Sequence, residues 1–271
     1  MQAPFCKDCF TGTLRGDVMP VGIEQTVHNV SSYVSLPPDG AQSLGTVVII
    51  SDALGWDLRN TRVLADAYAR RVPCKVLVPD FNIGTSLPEK FLTLTDALPT
   101  ANIFTKIWTY VRLVPALLRF LLYNRYAVAA PRVTSFFHAL REELGPSGKI
   151  GVAGFCWGGL YAIRLTHLSP PLVNGAFTAH SSLVSVPADI EKVKDYTPLS
   201  IANGDDDEYL GRAKMETVMR LLRDRERHEV VVYEGAKHGF AVRGDIGDPK
   251  QKERGEGSEG QAVGWFRRWM A

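Results

Sequence analysis

One five-residue run, Gly154-Phe155-Cys156-Trp157-Gly158, constrains this chain more than any other feature. A β-prone segment, 149–153, precedes it, and a helical stretch from 158 to about 167 follows. A strand that turns into a helix over so few residues needs small side chains where the two backbones approach. The central side chain is then left projecting from a strained corner. The N-terminus of the following helix favours negative charge at that point, which suits a thiolate and an anionic intermediate. The amide of Trp157 is placed to donate to an oxyanion. A buried structural cysteine beside glycines is the competing reading. The strand–turn–helix context favours Cys156 as a nucleophile.

The rest of the chain supplies a scaffold for such a corner. Residues 46–50 form a compact β-branched run that reads as a strand buried on both faces. Helices are expected at about 58–70, 132–143, 211–227 and 261–270, and strands at 76–78, 172–178, 199–202 and 230–233. An edge strand is expected at 28–36. The segment 243–260, full of Gly, Lys, Glu and Asp, reads as a solvated loop. Residues 1–29 read as an N-terminal arm and 30–271 as a single α/β domain. Alternating strands and helices imply a mostly parallel sheet with helices on both faces. Ligands then bind beyond the carboxyl ends of the strands.

A hydrophobic helical insertion is expected at about 100–127. Its apolar residues at 104, 107, 108, 111, 114, 118 and 122 fall near helical spacing. Lys106, Arg112, Pro115 and Arg119 interrupt it, so it is a poor membrane span. A cap or cleft wall, a core cover and an oligomer interface are the roles open to it.

The strand ends carry further candidates. His238 follows the strand 230–233 in Lys237-His238-Gly239-Phe240 and is placed as a general base. His28 falls on the edge strand and His138, His167 and His228 on expected helices; with His180 they are weaker choices. Gly204-Asp205-Asp206-Asp207-Glu208 follows the strand 199–202, and one of these carboxylates should orient the imidazole. Chemistry alone does not choose among the three aspartates. Nucleophile, acid and histidine occur in the chain order expected of the α/β-hydrolase fold. Ser51-Asp52-Ala53-Leu54-Gly55 follows the strand 46–50, where a loop amide can supply a second oxyanion donor and Asp52 a nearby charge.

Composition narrows the partners. A formal net charge of +2 gives no strong field and no call for nucleic acid or acidic lipid. Cys6 and Cys9 make a lone CxxC without a second pair, so they read as incidental rather than as a zinc or redox site. The start of the chain lacks the pattern of a signal peptide. A reducing, cytoplasmic setting is expected, which a free thiolate also requires.

At this point the chain resembles a known family. Asp52-Ala53-Leu54-Gly55, Val78-Pro79-Asp80-Phe81, Gly154-Phe155-Cys156-Trp157-Gly158-Gly159, the turn at Gly204 and Lys237-His238-Gly239-Phe240 are similar to the dienelactone hydrolase family, particularly its fungal-type members. The resemblance covers about 30–271 and implies an α/β-hydrolase fold with a Cys-Asp-His triad. It carries Cys156 and His238 over directly. It selects Asp207, three residues after the turn glycine and 31 before His238, with Asp206 in reserve. It implies Ala53 as the second oxyanion amide beside Trp157. Where the family has a glutamate that partners the resting thiol, this chain has the shorter Asp52. Arg243 loosely matches an arginine that meets the substrate carboxylate. The family's other arginine has no counterpart between 72 and 111, where only Lys90, or Arg112 just beyond, stands as a substitute.

These departures imply a larger and less acidic acyl substrate, such as a hydrophobic polyketide-like ester or lactone. The expected reaction is hydrolysis through an acyl-enzyme thioester, with no cofactor and no metal, in a monomer or homodimer. One rival is a lyase, cyclase or C–C cleaving enzyme on the same scaffold. Another is a non-catalytic ligand-binding protein.

Overall fold

The computed structural model describes residues 12–13, 18–92 and 102–271; the Cys6–Cys9 pair lies outside them. Eight strands form one sheet: β1 (Ile23–Val27), β2 (Val30–Ser35), β3 (Thr46–Ile50), β4 (Lys75–Pro79), β5 (Ile150–Phe155), β6 (Gly175–Ala179), β7 (Leu199–Gly204) and β8 (His228–Tyr233). Their order is β1-β2-β4-β3-β5-β6-β7-β8. β1 and β2 pair antiparallel with each other, and β2 pairs antiparallel with β4. All pairings from β4 through β3 to β8 are parallel. This is the α/β-hydrolase architecture. β3, β5 and β6 are buried along their whole lengths, as strands covered on both faces must be.

The described helices are α1 (Arg59–Arg71), α2 (Ile103–Asn124), α3 (Tyr126–Leu144), α4 (Trp157–Leu165), α5 (Ala188–Glu191), α6 (Arg212–Leu222), α7 (Phe240–Arg243) and α8 (Pro249–Met270). α1, α7 and α8 contact one another, while α3, α4, α5 and α6 contact in sequence as a second group. The chain leaves β3 for β4 on one side and then crosses to β5 on the other. The winding therefore reverses between β3 and β5, and a crevice opens beyond their carboxyl ends.

Four expectations change. Residues 243–260 are not a solvated loop, because α8 runs from Pro249. Asp248 caps it by accepting from the amides of Lys250 and Gln251, and Pro249 stands at its first turn. Its glycines lower helix propensity by about 1 kcal/mol each, but burial of Ala262, Val263, Trp265, Phe266 and Met270 outweighs that. Gly257 is useful there, since a Cβ would sit 2.9 Å from the Tyr233 ring. The N-terminal arm ends sooner than expected, because Ile23–Val27 pairs as the edge strand β1. His228 opens β8 rather than lying on a helix, and α3 begins at Tyr126 with Pro131 inside its first two turns.

Candidate active site

Cys156 stands between β5 and α4 with φ 51° and ψ −113°. A non-glycine residue there is strained by about 1–3 kcal/mol, which the surrounding packing must hold in place. The packing is tight on both sides. A Cβ on Gly154 would lie 2.4 Å from the Gly158 carbonyl, and one on Gly158 would lie 2.1 Å from the Ile50 carbonyl. The second contact presses the first turn of α4 against the end of β3. The loop holding Asp52 and Ala53 is thereby set beside the corner. Trp157 opens α4, so its amide has no partner within the helix.

His238 and Asp207 meet by a similar device, two and three strands along the same carboxyl end of the sheet. β7 and β8 end together, with Gly204 opposite Tyr233. A Cβ on Gly204 would lie 1.9 Å from the Ala236 carbonyl, so the two following loops touch. His238 Nδ1 then lies 2.9 Å from Asp207 Oδ2, with both side chains fully buried. A carboxylate only accepts, so Nδ1 donates and Nε2 is left as the acceptor nitrogen. Asp207 Oδ1 accepts from the Tyr209 amide at 2.7 Å, which fixes the carboxylate. Asp206 is exposed. Asp205 accepts from the Gly235 amide and pairs with Arg212.

His180 lies between the two halves. It follows β6 directly at φ 40°, fully buried, and its ring packs edge-on to His238 at 5.1 Å and near Phe155 at 5.9 Å. Neither ring nitrogen has a hydrogen-bond partner among the described residues. Burial, reinforced by His238 and Arg243, holds its pKa well below the usual histidine value. The thiol of Cys156 lies 3.5 Å from Ser182 Oγ, and the Ser182 amide donates to the Cys156 carbonyl at 2.9 Å. Neither His180 nor Ser182 carries a sequence signal that marks it as a neighbour of the corner.

Asp52 and Arg243 face each other. Arg243 Nε lies 3.1 Å from Asp52 Oδ2, and both side chains are buried. Asp52 Oδ1 also accepts from the Leu54 amide. The pair joins the β3 loop to α7 behind the corner.

A cavity of about 220 Å³ opens beside Cys156. Phe120, Trp157, Leu160 and Tyr161 give it an apolar wall. Trp157 Nε1 donates to the Asn124 carbonyl at 3.1 Å, and the Tyr126 and Tyr161 rings stack at 5.8 Å. The C-terminal end of α2 is therefore a cleft wall. Lys90, Arg112 and Arg243 do not line this cavity; Arg125, exposed at the α2–α3 junction, does. A larger hollow of about 480 Å³ touches His238 and Arg243, but Cys156 is absent from its lining.

A sequence model of the dienelactone hydrolase family matches residues 30–270. The chain is 28% identical over 243 residues to a hydrolase named pyvD from Aspergillus violaceofuscus, covering 89% of this chain and 88% of that one. It is 27% identical over 263 residues to a hydrolase named tropI from Talaromyces stipitatus, covering 97% and 95%. Among solved structures, a putative dienelactone hydrolase from Klebsiella pneumoniae superposes with a TM-score of 0.65 at 18% identity, covering 92% of this chain and 99% of that one. Likeness at that identity supports the fold alone.

Proposed function

The chain belongs to the dienelactone hydrolase family, a family of ester and lactone hydrolases, and on that premise we propose that Cys156 attacks its substrate as the nucleophile. The observation that carries this reading is the buried Asp207–His238 pair on the same sheet edge as a strained, helix-capping cysteine beside an apolar cavity.

The thiol proton passes to His238 Nε2 as Cys156 Sγ bonds to the carbonyl carbon. The amides of Trp157 and Ala53 hold the oxyanion. Collapse of that intermediate breaks the bond to the leaving oxygen, which takes the proton from His238. Water then attacks the thioester with His238 as base, and the carboxylic acid departs as the thiol is restored. Asp207 keeps the imidazole in the required tautomer and stabilises the imidazolium. Asp52, tied to Arg243 and the Leu54 amide, acts by holding the loop of Ala53 rather than by meeting the thiol. The acyl group lies against Phe120, Trp157 and Tyr161, which suits a hydrophobic, polyketide-like ester or lactone.

Incubation with p-nitrophenyl esters of increasing chain length, followed by mass spectrometry of the intact protein, tests the scheme. An acyl adduct on Cys156 is expected, together with loss of turnover in Cys156→Ala. Turnover retained by Cys156→Ala would refute the covalent route.

A further inference from the structure

α2 is amphipathic in the wrong sense for a helix that only covers a core. Its buried stripe is Thr109, Leu113, Phe120 and Asn124. Its opposite face is apolar and open: Phe104 is 80% exposed, Val111 65% and Leu118 54%, with Ile107, Val114 and Leu122 along the same line. Those six positions are spaced by three or four residues, so they form one continuous stripe on a helix about 33 Å long. A contiguous apolar face of this size on a soluble fold marks an interaction surface.

The charges beside the stripe identify the partner. From 103 to 141 the chain carries Lys106, Arg112, Arg119, Arg125, Arg132 and Arg141, and no Asp or Glu. Arg112 and Arg119 are both exposed, and Arg112 lies over the Trp108 ring at 4.1 Å. Trp108, Tyr110 and Tyr123 are exposed as well. An apolar stripe edged by cations and interfacial aromatics has the chemistry of a helix lying in the headgroup region of an anionic bilayer. A second copy docked antiparallel on this face, about a two-fold axis perpendicular to α2, would set one all-cationic flank against another. The net charge of +2 conceals this, because the balancing acids lie elsewhere in the chain.

We propose that α2 is a peripheral docking surface for anionic lipid bilayers. It rests on the outward face with Phe104, Ile107, Val111, Val114 and Leu118 below the headgroups and Arg112 and Arg119 among the phosphates. No described helix is long and apolar enough to cross a membrane, so the contact is interfacial. The cavity beside Cys156 is walled by Phe120 and Leu121 of the same helix, so docking would bring it close to the apolar phase. The inference stands whether or not Cys156 is the nucleophile.

The 271-residue chain is floated with vesicles of phosphatidylcholine alone, or with roughly one-third phosphatidylserine, at about 0.1 M and about 1 M salt. Binding is expected only with the anionic vesicles and at the lower salt. Neutralising the two cations in Arg112→Gln/Arg119→Gln should weaken partitioning about 30-fold, at about fivefold for each charge. Val111→Glu/Leu118→Glu should abolish it. These side chains are exposed, and an unchanged thermal midpoint in both variants shows that loss of binding is not loss of fold. No binding of the wild type to anionic vesicles, or equal binding to both compositions, overturns the proposal. So does light scattering that shows a wild-type dimer which Val111→Glu/Leu118→Glu splits while lipid binding is absent, because the stripe is then an interface between copies.

Discussion

Acid should destabilise this fold through His180. Its native pKa lies well below the ordinary 6.5, first because burial disfavours the imidazolium and then because His238 and Arg243 repel it. In the unfolded chain the same ring takes a proton near its ordinary value. The unfolded state therefore binds more protons below that point, and stability falls with pH at about 1.4 kcal/mol per unit. Above about pH 6.5 neither state is protonated and the effect vanishes. Between about pH 6.5 and pH 5 the loss is at most about 2 kcal/mol, a sizeable share of a net stability of about 5–15 kcal/mol. His167 and His228 are held low in the same direction, but they are less buried and contribute less. Burial raises Asp80 and Glu229, which gives the opposite sign. The contrast with His180→Phe isolates the one residue. Phenylalanine keeps the ring contacts to His238 and Phe155 and binds no proton. It also removes two buried nitrogens that have no hydrogen-bond partner among the described residues. Urea unfolding of both proteins across about pH 5 to 7 is expected to show a shallower slope for the variant and little loss near pH 7. Coincident slopes would refute the assignment of a neutral, buried His180.

Other perturbations have equally definite outcomes. Asp207→Asn should lower kcat on the order of 10⁴-fold with little change in KM, because an amide facing His238 Nδ1 no longer enforces the tautomer; steady-state kinetics on a p-nitrophenyl ester would show it. Asp52→Asn should destabilise by about 3–5 kcal/mol, since the Arg243 guanidinium stays buried without the carboxylate that faces it. Adding Arg243→Met should restore a large part of that, and simple additivity in urea unfolding would count against the pair. Gly158→Ala gains about 1 kcal/mol of helix propensity but drives a Cβ to 2.1 Å from the Ile50 carbonyl. The clash wins, so a lower thermal midpoint and a displaced thiol of reduced alkylation rate are expected.

Much of the fold was legible because it is written in local pattern. β3 is a run of β-branched residues, and the glycines at 154 and 158 announce a corner that only a tight strand-to-helix turn needs. α8 was hidden because its glycines argue locally for a loop, and only the sheet and Tyr233 reward the helix. β1 was hidden because an edge strand exposed on nearly every residue carries no burial pattern. The outward face of α2 was visible as hydrophobic spacing, yet that spacing could not say which side meets the protein.

The same division holds at the site. Residue type and chain order determined that Cys156, a late histidine and an aspartate after the turn at Gly204 were the groups to watch, because nucleophile, base and acid have few chemical substitutes. Chemistry alone left three aspartates open and the family spacing pointed to Asp207; that Asp52 is paired with Arg243, and that His180 and Ser182 border the corner, were decided only in three dimensions. Those choices turn on which loops the close approaches at Gly204 and Gly158 bring together. Such contacts join residues far apart in the chain, so no local pattern encodes them.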